Sequence, residues 1–65
     1  AEKPLKPREI VGIRQRLGVS QAVFAALLNV PRPTAISWET GARQPSAAAL
    51  KLLRVAERHP EVLAA

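Results

Sequence analysis

A chain of 65 residues, 48% of them hydrophobic and 23% charged, has room for one small domain. It buries only about 60% of the surface that its unfolded form exposes, which leaves no space for a deep substrate cavity and excludes most enzyme architectures. Cysteine is absent, so no disulfide or thiolate metal site staples the fold, and ten Lys and Arg against five acidic residues give +5, which points to a polyanionic partner, nucleic acid ahead of an anionic membrane.

Residues 1–6 (AEKPLK) read as a flexible lead-in or the stub of a longer protein, with the domain at 7–65. From Pro7, Ile10, Ile13 and Leu17 recur at helical spacing, with Arg8, Glu9, Arg14, Gln15 and Arg16 on the other face. Pro7 suits a first turn and Gly18 a stop. Ser20 is an N-cap, and Gln21 to Leu28 (QAVFAALL) forms an uncharged second helix that turns Phe24, Ala25 and Leu28 inward. Asn29 tolerates the left-handed conformation, and Val30 and Pro31 lead into a third helix, Arg32 to Thr40, where Pro33 is harmless in the first turn.

Gly41 ends that helix. A basic loop, Ala42 to Pro45, leads to the N-cap Ser46 and to Ala47–Arg58, the best helix by propensity, with Leu50, Leu53 and Ala56 as its stripe and Ala49 and Leu52 beside it. Pro60 stops it, and Glu61 to Ala65 can add one turn. Nothing alternates with period two, so no strand is expected. The longest uncharged stretch, Leu17 to Pro31, is broken by Gly18, Ser20, Gln21 and Asn29 and cannot form a transmembrane helix. The fold class expected is all-α, a bundle of four to five helices.

Two short helices joined by a turn of about three residues form a helix-turn-helix, whose geometry constrains fixed offsets. Counted from Gln21, the fourth and eighth places are apolar (Phe24, Leu28) and the fifth is very small (Ala25), because a larger side chain would push the helices apart. The ninth place accepts positive φ (Asn29), and the tenth, fifteenth and eighteenth are apolar (Val30, Ala35, Trp38). Glycine is usual at the ninth place and a branched aliphatic at the fifteenth; Asn29 and Ala35 depart from that pattern within what sterics permit.

On these residues, the stretch LGVSQAVFAALLNVPRPTAISWETGARQPS resembles the helix-turn-helix regulators related to the phage lambda and 434 repressors and the Xre-type proteins, over about Glu9 to His59. The resemblance implies a lambda repressor-like DNA-binding domain in which Gln21 touches DNA phosphate and braces the third helix, and in which Arg14 and Glu39 form an ion pair. The segment LLRVAERHPEVL further resembles the HigA and MqsA groups of antitoxins from toxin–antitoxin pairs.

Such a third helix enters the major groove with its N-terminus nearest the bases. Arg32 can pair bidentately with guanine, Thr34 and Ser37 make single contacts to a base or bond phosphate, and Ile36 can pack on a thymine methyl. Arg43 and Gln44, with Gln21 and the N–H groups opening the second helix, are expected on phosphates. So few base contacts per copy imply that DNA shape contributes and that a homodimer binds a palindromic operator, with a dimer surface around Val55 to Leu63, joined by Val11.

Blander roles claim other residues. Trp38 sits at a core place of the motif and is not a stacking platform. Ser20 has no base to make it a nucleophile, and His59, a lone histidine, more naturally caps carbonyls at the end of the fourth helix. Lys51, Arg54 and Arg58 read as a solvated face. No enzyme activity, cofactor or metal is expected. The leading function is a cytoplasmic transcriptional regulator of duplex DNA, a repressor in type; the alternative is an antitoxin that neutralises a ribonuclease toxin and represses its own operon. A membrane-bound peptide would need one long amphipathic stripe, which the short broken helices do not supply.

Overall fold

A computed structural model describes residues 3–64 of the chain. Among them are α1 (Pro7–Leu17), α2 (Gln21–Leu27), α3 (Arg32–Thr40), α4 (Ala47–Arg58) and α5 (Glu61–Ala64), and no strand. The sequence reading placed the helices correctly, ending α2 one residue late, since Leu28 is its C-cap. Ala65, read as part of the last turn, lies outside the described residues, as do the first two residues of the lead-in.

Local chemistry sets each boundary. Pro7 occupies the first turn of α1, where its missing N–H has no intrahelical partner to lose, and the Glu9 carboxylate accepts the Lys6 N–H at 2.8 Å. Gly18 stops α1 at φ 71°, its N–H returning to the Arg14 and Gln15 carbonyls. Ser20 and Ser46 cap α2 and α4, each hydroxyl oxygen accepting an N–H three residues on, from Val23 and Ala49, at 3.2 Å. His59 caps the end of α4 with its backbone N–H, bonded to the Val55 carbonyl at 2.7 Å, while its imidazole faces the Glu61 carboxylate at 3.3 Å. The expected side-chain cap is therefore a backbone one.

The turn between α2 and α3 is a Schellman closure. Asn29 takes φ 57°, the Val30 N–H reaches the Ala25 carbonyl at 3.0 Å, and the Asn29 N–H reaches that of Ala26 at 3.1 Å. Two carbonyls that a helix end leaves open are thereby satisfied, and Val30 folds back against the core. Gly41 closes α3 at φ 84°, and a Cβ there would sit 3.3 Å from the Pro7 Cγ, so close packing reinforces the backbone requirement.

The core is aliphatic with its aromatics inside: Ile10 and Ile13 of α1, Phe24 and Ala25 of α2, Leu28, Ala35 and Trp38 of α3, and Leu53 and Ala56 of α4 are all buried. α3 is the central element, packed on both α1 and α2, while α4 packs on α1 and α5. The Cα radius of gyration is 10.4 Å, against the roughly 11 Å expected of a folded chain this long. Leu50 is only partly buried, so the inward stripe of α4 centres on Leu53 and Ala56.

Two placements differ from the sequence reading. Leu5, assigned to the lead-in, is 4% exposed and belongs to the core. Arg54, read with Lys51 and Arg58 as a solvated face, is partly buried: Nη1 donates to Glu57 Oε1 at 3.1 Å and Nη2 to the Lys3 carbonyl at 2.8 Å. It ties the segment before α1 to α4, and only Lys51 and Arg58 are exposed as expected.

Candidate nucleic-acid interface

The helix-turn-helix is built by burying one face of α3 and leaving its start in solvent. Ala35 and Trp38, three residues apart, turn toward α1 and α2 and are 0% and 4% exposed. Ala25, 2% exposed, is buried within the motif, as its small side chain at the fifth place leads one to expect. The place usually held by a branched aliphatic is filled by Ala35 without opening the core.

A polar clamp fixes α3 from the other side. The Glu39 carboxylate, only 5% exposed, accepts from Arg14 Nε at 2.8 Å and from Gln21 Nε2 at 3.2 Å. Arg14 also donates from Nη1 to the Val19 carbonyl at 3.2 Å. One carboxylate thus joins α1, the start of α2 and the end of α3, with both of its oxygens bonded, as a buried anion requires. Arg14 and Glu39 form the ion pair that the resemblance implied. Gln21, implied there both as brace and as phosphate contact, is seen in the bracing role, and its amide oxygen makes no bond within the described residues.

The remaining candidates lie along α3 and the loop behind it. Arg32, at the first helical position, is exposed, as are Arg43 and Gln44. A cation at a helix N-terminus meets the positive end of the helix dipole, so structure alone gives Arg32 no reason to be there. Thr34, Ile36 and Ser37 are partly buried. Ser37 Oγ donates to the Thr34 carbonyl at 2.6 Å, and the Arg43 N–H donates to the Ser37 carbonyl at 3.2 Å, so the basic loop is tied back onto α3.

The surface read as a dimer patch divides. Val62 is 59% exposed, Val11 and Val55 are partly buried, and Leu63 packs against the core of its own chain. Val23 on α2, 47% exposed, is a large apolar side chain that the sequence reading did not single out. An open concavity of about 580 Å³ is lined by Glu9, Gly12, Gln15, Arg16 and Glu57, residues of α1 and α4, and so lies apart from α2 and α3. Among the described residues no group of three or more His, Cys, Asp or Glu side chains could hold a metal ion, and no helix is long and apolar enough to cross a membrane.

Antitoxin HigA-2 of Vibrio cholerae serotype O1 is 42% identical over 62 residues, a match that covers 95% of this chain and 60% of the relative. The chain therefore spans about three-fifths of the length of the curated relative it matches. A family model described as the antitoxin component of bacterial toxin–antitoxin systems, MqsA, matches residues 1–65. With that match running the length of the chain and its helix-turn-helix intact, the protein belongs to the MqsA antitoxin family.

Proposed function

We propose that this chain is the DNA-binding domain of an antitoxin, a cytoplasmic and non-enzymatic repressor that inserts α3 into the major groove of its operator. The observation that carries the reading is the two-sided treatment of α3: its Ala35–Trp38 face is buried and clamped through Glu39, while Arg32 stands exposed at its N-terminus. Arg32 is the base-reading cation, Ile36 offers an apolar contact to a thymine methyl, and Thr34 and Ser37 add single hydrogen bonds. Gln21, Arg43 and Gln44 grip phosphates on either side, and Arg43 draws its register from the bond between its N–H and Ser37.

A domain with so few base contacts binds as a homodimer on a palindromic site, with half-sites about one helical turn apart. The exposed Val62, with Val55 and Val11, is the surface for the second copy. The family match supports a second activity in the same protein, neutralisation of a toxin; a ribonuclease as that toxin, and repression of the antitoxin's own operon, belong to the same proposal.

The deciding experiment titrates the DNA upstream of the protein's own gene against a random duplex of equal length across a salt series. Specific binding, tighter on the upstream fragment at every salt concentration and with a slope of log K against log salt of about −0.9 per phosphate neutralised, is the expected result. Equal affinity for both duplexes refutes the specific-repressor reading. Co-expression with a small basic protein encoded beside the gene tests the toxin arm, through recovery of a stable complex and loss of ribonuclease activity.

A further inference from the structure

Ser37 combines a position on the proposed reading helix with a hydroxyl that already donates within α3. Its Oγ lies 2.6 Å from the Thr34 carbonyl oxygen. A carbonyl oxygen only accepts, so the hydroxyl donates, and a serine hydroxyl has a single proton to give. At 2.6 Å this is a short O–H···O bond, internal to α3 and formed without DNA. What remains for a ligand is the pair of lone pairs on Oγ, and donation to Thr34 polarises the oxygen and makes it a better acceptor.

This selects among contacts. Phosphate oxygens, guanine O6 and N7, adenine N7 and thymine O4 are all acceptors, so each could bond Ser37 only by taking its proton away from Thr34 and breaking that bond. The groups in the major groove that can bond Oγ and leave it intact are the exocyclic amino groups of adenine and cytosine. Thr34, by contrast, makes no side-chain hydrogen bond within the described residues, and its hydroxyl keeps its proton for a phosphate or a keto group. Resting on the proposed DNA-binding role, we infer that Ser37 is a specificity-determining acceptor that reads an adenine or cytosine amino group and does not touch the DNA backbone.

The test begins with operators enriched from a random duplex library by the wild-type chain and by Ser37→Ala, a substitution that suits a helix interior. Loss of one hydrogen bond is expected to relax preference at a single base pair per half-site by about fivefold, with other positions and the salt slope unchanged. At that pair, an analogue base lacking the exocyclic amino group should weaken the wild type by the same factor and leave Ser37→Ala unaffected. An analogue lacking the keto oxygen of the pair should leave the difference between wild type and variant intact.

If removing the keto oxygen, rather than the amino group, abolishes that difference, or if Ser37→Ala lowers affinity equally on every sequence with a shallower salt slope, the inference is overturned while DNA reading by α3 stands. An operator enriched identically by both proteins overturns it too. A wild type that enriches no sequence overturns the proposed function itself.

Discussion

Replacing Arg14 by Met removes the cation from the Glu39 clamp while keeping most of the aliphatic stem that packs beside it. Glu39 is then left with the Gln21 amide at 3.2 Å as its one remaining donor, on a carboxylate that is 5% exposed. Breaking a fully buried pair by deleting one partner costs about 3–5 kcal/mol. Arg14 is 20% exposed, so water can reach part of the vacated site, and the loss should fall nearer 2–3 kcal/mol. A domain of this size has a total stability of only about 3–10 kcal/mol, so the change removes a large part of it and lowers Tm by roughly 10–20 °C. Thermal unfolding followed by helical circular dichroism measures it. The double variant Arg14→Met, Glu39→Leu removes the stranded charge along with its partner and should recover to within about 1 kcal/mol of the wild type. If the double variant is less stable than Arg14→Met, the pair stabilises the fold by direct attraction, and the argument from a stranded buried charge is refuted.

Gly41→Ala should cost more than Gly18→Ala in urea denaturation. Both place a Cβ on left-handed backbone, at about 1–2 kcal/mol, but only at Gly41 does the new atom meet a neighbour, Pro7 Cγ at 3.3 Å. Leu5→Ala, although it precedes α1, should destabilise by about 2–3 kcal/mol, because Leu5 is 4% exposed; a midpoint unchanged from wild type would mean that the segment contributes nothing to the core. Arg32→Ala should relax preference at one base position, while Arg43→Ala should weaken binding on all duplexes alike and reduce the salt slope by about 0.9. Equal losses for Arg32→Ala on operator and random DNA would remove it from base reading.

Most of the architecture was legible because it rests on short-range rules. Ser20 and Ser46 cap, Gly18, Asn29 and Gly41 take positive φ, and Phe24, Ala25, Leu28, Ala35 and Trp38 fill the offsets of a tight helical turn, all within a few residues of the element they define. The candidate contact residues were legible for the same reason: helical phase alone says which side of α3 is left when Ala35 and Trp38 turn inward.

What sequence spacing could not reach are contacts between distant parts of the chain. Leu5 stands between Pro4 and Lys6 with no periodic partner, and its burial depends on the cleft that the packed helices create, with Arg54 holding the Lys3 carbonyl across 51 residues. Leu63 looked like surface until the Pro60 corner folded α5 back on the core. Val23 stays in solvent although it lies between the capping Ser20 and the buried Phe24, and no local rule singles it out. The double role of Glu39, joining Arg14 and Gln21 at 25 and 18 residues' separation, exists only once the helices are in place. Local preference determined where the helices begin and end and which faces are apolar, since those are decided within a turn or two. Tertiary packing decided which charge is buried and which distant segments are tied together, since those depend on atoms that the chain order keeps apart.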